Sequence, residues 1–258
     1  MNTLVRIWTI ASNTLREAVR NRLLYTLLFF AIVLILSGIF LSTLSYVDNE
    51  RILQDIGFAA IRLFGVAIAI FVGVGLIYKE VDRRTVYTIL SKPISRAEFL
   101  LGKFVGLVLT IWMQMAIMVA VFAGVSLATG APVDAGHAAA FALLAVELAL
   151  VVALATLFSA FTSPMLASLF SAGLWFAGSL SRNLRDLGAH ASLPSVHLLT
   201  RGLFWLLPDL DAFNLSIEAA HGLPIARADV WLAFAYGIGY IAIVLVGAVL
   251  VFESRDMR

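Results

Sequence analysis

Inside the long apolar runs of this 258-residue sequence, Arg62 and Glu147 are the only charged side chains. An acid in that setting can carry a proton or contact a substrate, and intramembrane charges are functional candidates by default. A guanidinium and a carboxylate in the same half of a membrane can also simply pair. That structural pairing is the reading favoured here, with Arg62 near the outer end of its run and able to snorkel towards the interface. Other chemistry is sparse. The only Gly-Lys pair is Gly102-Lys103, and Ala97 stands where a phosphate-binding GxxxxGK[ST] loop requires its first glycine. His137, His190, His197 and His221 follow no metal-ligand spacing and read as scattered surface histidines in external loops. There is no cysteine, hence no thiolate site, and no Ser, His and acid constellation stands out. The sequence therefore predicts no catalytic residue, metal site or cofactor on this chain.

Those residues must be positioned by membrane helices. Apolar residues make up 62% of the chain and charged residues 13%, about half the roughly 25% of soluble domains. Mean hydropathy is +0.99. A bilayer crossing takes about 20 mainly apolar residues, and six runs qualify: Leu23 to Leu44, Gly57 to Tyr78, Phe104 to Ala128, Ala138 to Phe161, the shorter Pro164 to Leu180, and Val230 to Phe252. Only helices or closed barrels satisfy the backbone in lipid, and these runs lack strand alternation. The expectation is an all-α polytopic membrane protein of six transmembrane helices, forming a single domain over residues 1–258.

Basic residues orient the bundle. Arg6, Arg16, Arg20 and Arg22 precede the first run, and Lys79, Arg83, Arg84, Lys92, Arg96 and Lys103 lie between the second and third. Arg255 and Arg258 follow the last, whereas the loop after the third run has no Lys or Arg. Both termini and segment 79–103 are therefore expected on the cytoplasmic side. Within residues 1–22, Leu4, Ile7, Trp8, Ala11, Leu15, Ala18 and Val19 recur at helical spacing opposite Ser12, Asn13, Arg16, Glu17 and Arg20. This predicts an amphipathic helix lying in the membrane interface. Segment 181–229 is too long for a turn, and its apolar stretch around Trp205 suits external or re-entrant helices broken at Pro208. Gly65, Ala69 and Gly73 form a small-residue stripe that permits close helix packing.

The stretch KEVDRRTVYTILSKPISRAEFLLGK, residues 79–103, concentrates the charge. Pro93 disfavours helical geometry at Lys92. Ser95 then suits an N-cap, and Glu98 completes the Ser-x-x-Glu capping box. Phe99, Leu100 and Leu101 give the short helix that follows an apolar side, before Gly102-Lys103 leads into the third span. A capped, amphipathic helix projecting between two spans suits the groove of another protein better than a plain topology loop.

In these residues the chain resembles the permease subunits of type 2 ABC exporters. The shared pattern is an acidic residue at the cytoplasmic end of the second span, then Thr, Leu, Pro, Ser-Arg and Gly-Lys, here Glu80, Thr85, Leu90, Pro93, Ser95, Arg96, Gly102 and Lys103. The resemblance extends to the order of the interfacial helix, spans and external segment. It implies that residues 94–101 form a coupling helix that docks on a separate ABC ATPase subunit, which holds ATP and Mg. It further implies pairing with a second permease copy or paralogue. The basic N-terminal stretch, with no eukaryotic targeting signal, points to a bacterial inner membrane, and segment 181–229, longer than in simpler members and Arg-containing, is expected to contact a periplasmic partner. Two other functions fit the composition: a non-transporting scaffold of an envelope maturation complex, and a proton-coupled carrier using Glu147. The few polar groups in the spans suit a lipid-like or amphipathic cargo, and equally suit a bundle whose substrate pathway forms only in the dimer.

Overall fold

The structure is a computed structural model that describes residues 3–43, 49–82, 95–181, 202 and 207–254. Its helices are α1 (Thr3–Val19), α2 (Arg22–Ser42), α3 (Asn49–Asp82), α4 (Arg96–Thr129), α5 (Ala135–Phe161), α6 (Pro164–Ser179), the short α7 (Ser216–Ala220) and α8 (Arg227–Ser254), with a 3-10 turn at Asp211–Phe213. The described residues contain no strand. Five of the helices, α2, α3, α4, α5 and α8, are long and apolar enough to cross a membrane. The fifth run predicted from sequence forms α6, a helix of 16 residues. At 1.5 Å per residue it spans about 24 Å, short of a hydrocarbon core of about 30 Å.

Helix α5 is the axis of the bundle. Buried residues make up 78% of its membrane-crossing stretch, against 22% for α2 and for α8, so those two lie at the periphery. It is apolar on all sides, as a helix surrounded by others must be. Its sequence also marks its ends. Gly130 closes α4 in the left-handed region (φ 82°), and Asp134 caps α5 by accepting hydrogen bonds from the backbone N–H groups of Gly136 and His137. At the other end, Pro164 follows a bend at Thr162-Ser163 and opens α6 at its first turn.

Small residues set the closest approaches. The predicted stripe on α3 meets α5: a Cβ at Gly65 would lie 3.0 Å from Leu148 Cδ1, and one at Gly73 would lie 2.8 Å from Ala155 Cβ. Ala69 between them is fully buried. Lipid offers no hydrophobic drive for helices to associate, so such close packing supplies much of the cohesion.

Helix α1 has three faces rather than the two that its apolar periodicity predicts. Ala11, Thr14 and Ala18 are buried. They pack with Ile7 and Ile10 on α4, where a Cβ at Gly102 would meet Ile10 Cβ at 2.7 Å and one at Gly106 would meet Ala11 O at 2.6 Å. Leu4, Val5 and Trp8 stay exposed, and so do Asn13, Arg16 and Arg20 on a third face. The helix is thus fastened through one face while a second, apolar face remains for the interface of the bilayer.

Helix α4 differs from its expected extent. The short helix over 94–101 is the start of a continuous 34-residue helix, and the third span does not begin separately at Phe104. A glycine inside a helix costs only about 1 kcal/mol, and Gly102 is held by its contact with α1, so no break occurs there.

Gly106→Val should lower the melting temperature of the detergent-solubilised protein and expose α1 to protease, because the new side chain meets backbone. Overpacking of this kind costs about 1–3 kcal/mol. Gly124→Ala, where nothing lies within 4 Å of the position a Cβ would take, should leave stability unchanged or higher. Equal melting of Gly106→Val and wild type would mean that α1 is not fastened through Gly106.

Candidate functional site

Two constructions stand out, one at each end of the bundle. At the end carrying α1, the capping box that the sequence predicts is formed. Ser95 Oγ accepts from the Glu98 N–H at 3.1 Å, and Glu98 Oε2 accepts from the Ser95 N–H at 3.0 Å. The same Glu98 oxygen pairs with Arg6 Nη1 of α1 at 3.5 Å. Lys103 is almost wholly buried, with its Nζ 3.7 Å from Glu17 Oε2 of α1. Phe99 is buried and stacks on Phe252 of α8 with ring centroids 6.5 Å apart, over Ala160 at the end of α5. Arg96 Nη1 donates to the Phe252 carbonyl at 3.2 Å. A cation there satisfies one of the last carbonyls of α8 and complements its dipole.

The start of α4 is therefore joined to α1, α5 and α8. Phe99 and Leu100, which in sequence form an apolar side offered to another protein, are buried within this chain. The amphipathic pattern is real, but its apolar side is matched by α1 and α8, which are remote in sequence. Ser95 is exposed, and Arg96, Ala97 and Glu98 are partly so. Thr85, Leu90 and Pro93 lie outside the described residues, and for Glu80 only the helical backbone of α3 is described.

In the other half of the bundle, Arg62 and Glu147 pair as expected. Arg62 Nη2 lies 2.9 Å from Glu147 Oε1, and Arg62 Nε lies 3.1 Å from both carboxylate oxygens. Glu147 is fully buried. Trp175 Nε1 of α6 donates to Glu147 Oε1 at 2.9 Å, and its ring lies under the guanidinium, 5.7 Å from ring centroid to Cζ. Arg62 Nη2 also donates to Ser179 Oγ at 3.3 Å. One carboxylate thus joins α3, α5 and α6. Sequence reasoning does not single out Trp175 and Ser179. Their signal is a Trp within a predicted span, away from the interfaces where Trp concentrates, whose N–H needs a partner when buried.

Beyond this lattice the returning chain closes the bundle. Leu210 N donates to the Gly178 carbonyl at 3.2 Å, which satisfies the end of α6, and Phe213 packs on Gly237 of α8. Asp209 accepts from Ser181 Oγ at 2.8 Å, and its own N–H donates to Tyr236 Oη at 2.9 Å. His137 is not the surface histidine its loop-like surroundings predict. It sits in the first turn of α5, 2% exposed and stacked on Phe58, with Phe122 also beside its ring, because α3 and α4 bring both rings to it in the fold. Its Nδ1 lies 2.8 Å from Asp134 Oδ1. That contact, with the backbone N–H groups at the helix start, holds the Asp134 carboxyl below its ordinary range. His221 Nε2 lies 3.6 Å from Asp55 Oδ2, and His190 and His197 lie outside the described residues. Among the described residues no three His, Cys, Asp or Glu side chains gather as a metal site.

Apolar helices of spanning length, packed around a buried ion pair, define a multi-pass membrane protein. The family described as ABC-2 family transporter protein matches residues 8–257, and the chain belongs to that family. It is a membrane permease of an ABC system. No curated protein sequence matches the chain significantly.

Breaking a buried ion pair on one side costs about 3–5 kcal/mol, whereas replacing both partners with apolar groups is often neutral. Glu147→Ala should therefore sharply lower the melting temperature in detergent, and the double replacement Arg62→Met with Glu147→Met should restore most of it. A Glu147→Ala protein as stable as wild type would rule out a structural role for the pair.

Proposed function

We propose that this chain is the membrane-spanning subunit of an ATP-driven exporter whose ATP and Mg are held by a separate ABC ATPase. Family membership over residues 8–257 carries this reading. The absence of a phosphate-binding loop from the sequence agrees with it. The ATPase docks on segment 79–103, and two permeases, identical or paralogous, pair with two ATPases. Both termini face the cytoplasm of a bacterium, across its inner membrane. The single domain crosses the bilayer six times, with α6 and the returning residues 207–213 together making the fifth crossing. The outer part of segment 181–229 offers a surface for a periplasmic partner.

The contacts around Ser95 to Lys103 support a mechanical role for the docking segment. ATP can shift the membrane domain only by favouring one conformation over another. A force applied to the start of α4 reaches α1 through Gly102, Gly106 and the Arg6–Glu98 contact, and reaches α8 through Arg96 and Phe99. Arg96, Glu98, Phe99, Gly102 and Lys103 act in this reading as positioning residues behind the docking surface, and Ser95 and the preceding residues meet the ATPase. The hydrogen bonds that Glu147 accepts from Arg62 and Trp175 support a structural role for it over that of a proton carrier.

Reversing charge in the docking segment tests this reading. Arg83→Glu combined with Arg84→Glu should abolish co-purification of a protein with ABC ATPase sequence from gently solubilised membranes, while membrane insertion stays normal. Recovery of the ATPase at wild-type yield would place the interface elsewhere. A wild-type chain that recovers no ATPase would favour the scaffold or the carrier function.

A further inference from the structure

We propose that the groove between α3, α6 and α7, in the half of the bundle opposite the α1 end, binds the headgroup of a phospholipid bearing a primary amine. The groove has a volume of about 570 Å³, and Asp55, Arg62, Phe176, Asn214, Ile217 and His221 lie along it. Large apolar side chains edge it. Leu63 of α3 is 53% exposed, Phe176 of α6 62% and Ile217 of α7 60%. An acyl chain lying against them would cover this surface.

The polar groups of the groove are arranged for a zwitterion. Arg62 uses Nε and Nη2 on Glu147 and Ser179, and among the described residues its Nη1 makes no hydrogen bond. Two N–H donors on a cationic group thus remain, on a residue that lines the groove. A phosphate oxygen meets them well, because charge-assisted bonds from arginine are among the strong ones. Asn214 accepts through Oδ1 from Ser216 Oγ at 2.7 Å and Ser216 N at 3.4 Å, which leaves its amide N–H donors for the same phosphate. Asp55 lies seven residues before Arg62, on the same side of α3, and is half-exposed beside His221. Its carboxylate offers acceptors to an ammonium, which carries N–H donors where a choline has none.

The charge arrangement also discriminates. Glu147 already neutralises Arg62, so an anionic headgroup gains little net attraction and meets the Asp55 carboxylate. A choline headgroup keeps the phosphate contacts and loses the hydrogen bonds to Asp55. Only the ethanolamine-type headgroup uses both ends of the groove. The inference needs the chain to be in a membrane and needs no ATPase, so it stands apart from the docking segment.

Native mass spectrometry of the purified full-length chain tests it, by titration with phosphatidylethanolamine, phosphatidylcholine and phosphatidylglycerol of identical acyl chains. Phosphatidylethanolamine should bind at least about 10-fold more tightly than either of the others, the lower end of what a hydrogen bond to a charged group contributes. Asp55→Asn, an isosteric change at a half-exposed site, should bring it down to the phosphatidylcholine level while the melting temperature holds. Equal binding of all three lipids by wild type would overturn the proposal, whatever the variant does. Tighter binding of phosphatidylglycerol, or selectivity unchanged in Asp55→Asn, would overturn it too. A chain without headgroup selectivity that still co-purifies an ATPase would refute the lipid site and leave the permease function intact.

Discussion

A carboxylate buried beyond the reach of water persists only if its charge is met, and the Arg62–Glu147 pair is where this bundle is most constrained. Glu147 sits on the central helix with no exposure, and its hydrogen bonds come from two other helices. Translating α3 or α6 by one residue, about 1.5 Å, would pull a donor out of range. The pair therefore sets the axial register of α3, α5 and α6 together. It also bears on the shortness of α6: the helix ends at Ser179, level with Arg62, and the returning chain takes over by bonding Leu210 N to the Gly178 carbonyl.

Register at the other end comes from shape more than charge. Gly102 and Gly106 let the backbone of α1 lie against α4, and Gly65 and Gly73 do the same for α3 on α5. Ion pairs at Arg6 and Lys103 then bracket the α1 contact. Because α8 ends on Phe99 and Arg96, and α5 ends on the same cluster, the start of α4 is in contact with three helices there. Tightly packed contacts of this kind transmit displacement well. The proposed drive by an ATPase from one side needs such a junction, and the exposed apolar residues Leu4, Val5 and Trp8 of α1 suit it to a membrane surface.

Much of this is legible without coordinates. Hydropathy marks long spans because an unsatisfied backbone cannot sit in lipid, and the Ser95–Glu98 capping box is a local geometry that four residues encode. The Arg62–Glu147 pair is readable because two lone charges in apolar runs have few other partners. What escapes is non-local. Phe99 and Leu100 look like an outward surface, since nothing near them in sequence shows that they are buried, Phe99 against Ile10 and Phe252. His137 looks like a loop residue until Phe58 and Phe122 converge on it. The Gly102–Gly106 pair hides at a loop-to-span junction, because the break in charge there masks a continuous helix.

The chain contains no cysteine, which makes a single introduced thiol a clean reporter of where the ATPase docks. Ser95→Cys lies on an exposed residue at the start of α4, and Leu223→Cys lies on an exposed residue at the opposite end. The decisive measurement is cross-linking from each position in native membranes, with the adduct identified by mass spectrometry. The proposed function predicts an adduct between this chain and an ABC ATPase from Ser95→Cys and none from Leu223→Cys. An ATPase adduct from Leu223→Cys alone would invert the orientation and contradict the coupling role of residues 79–103.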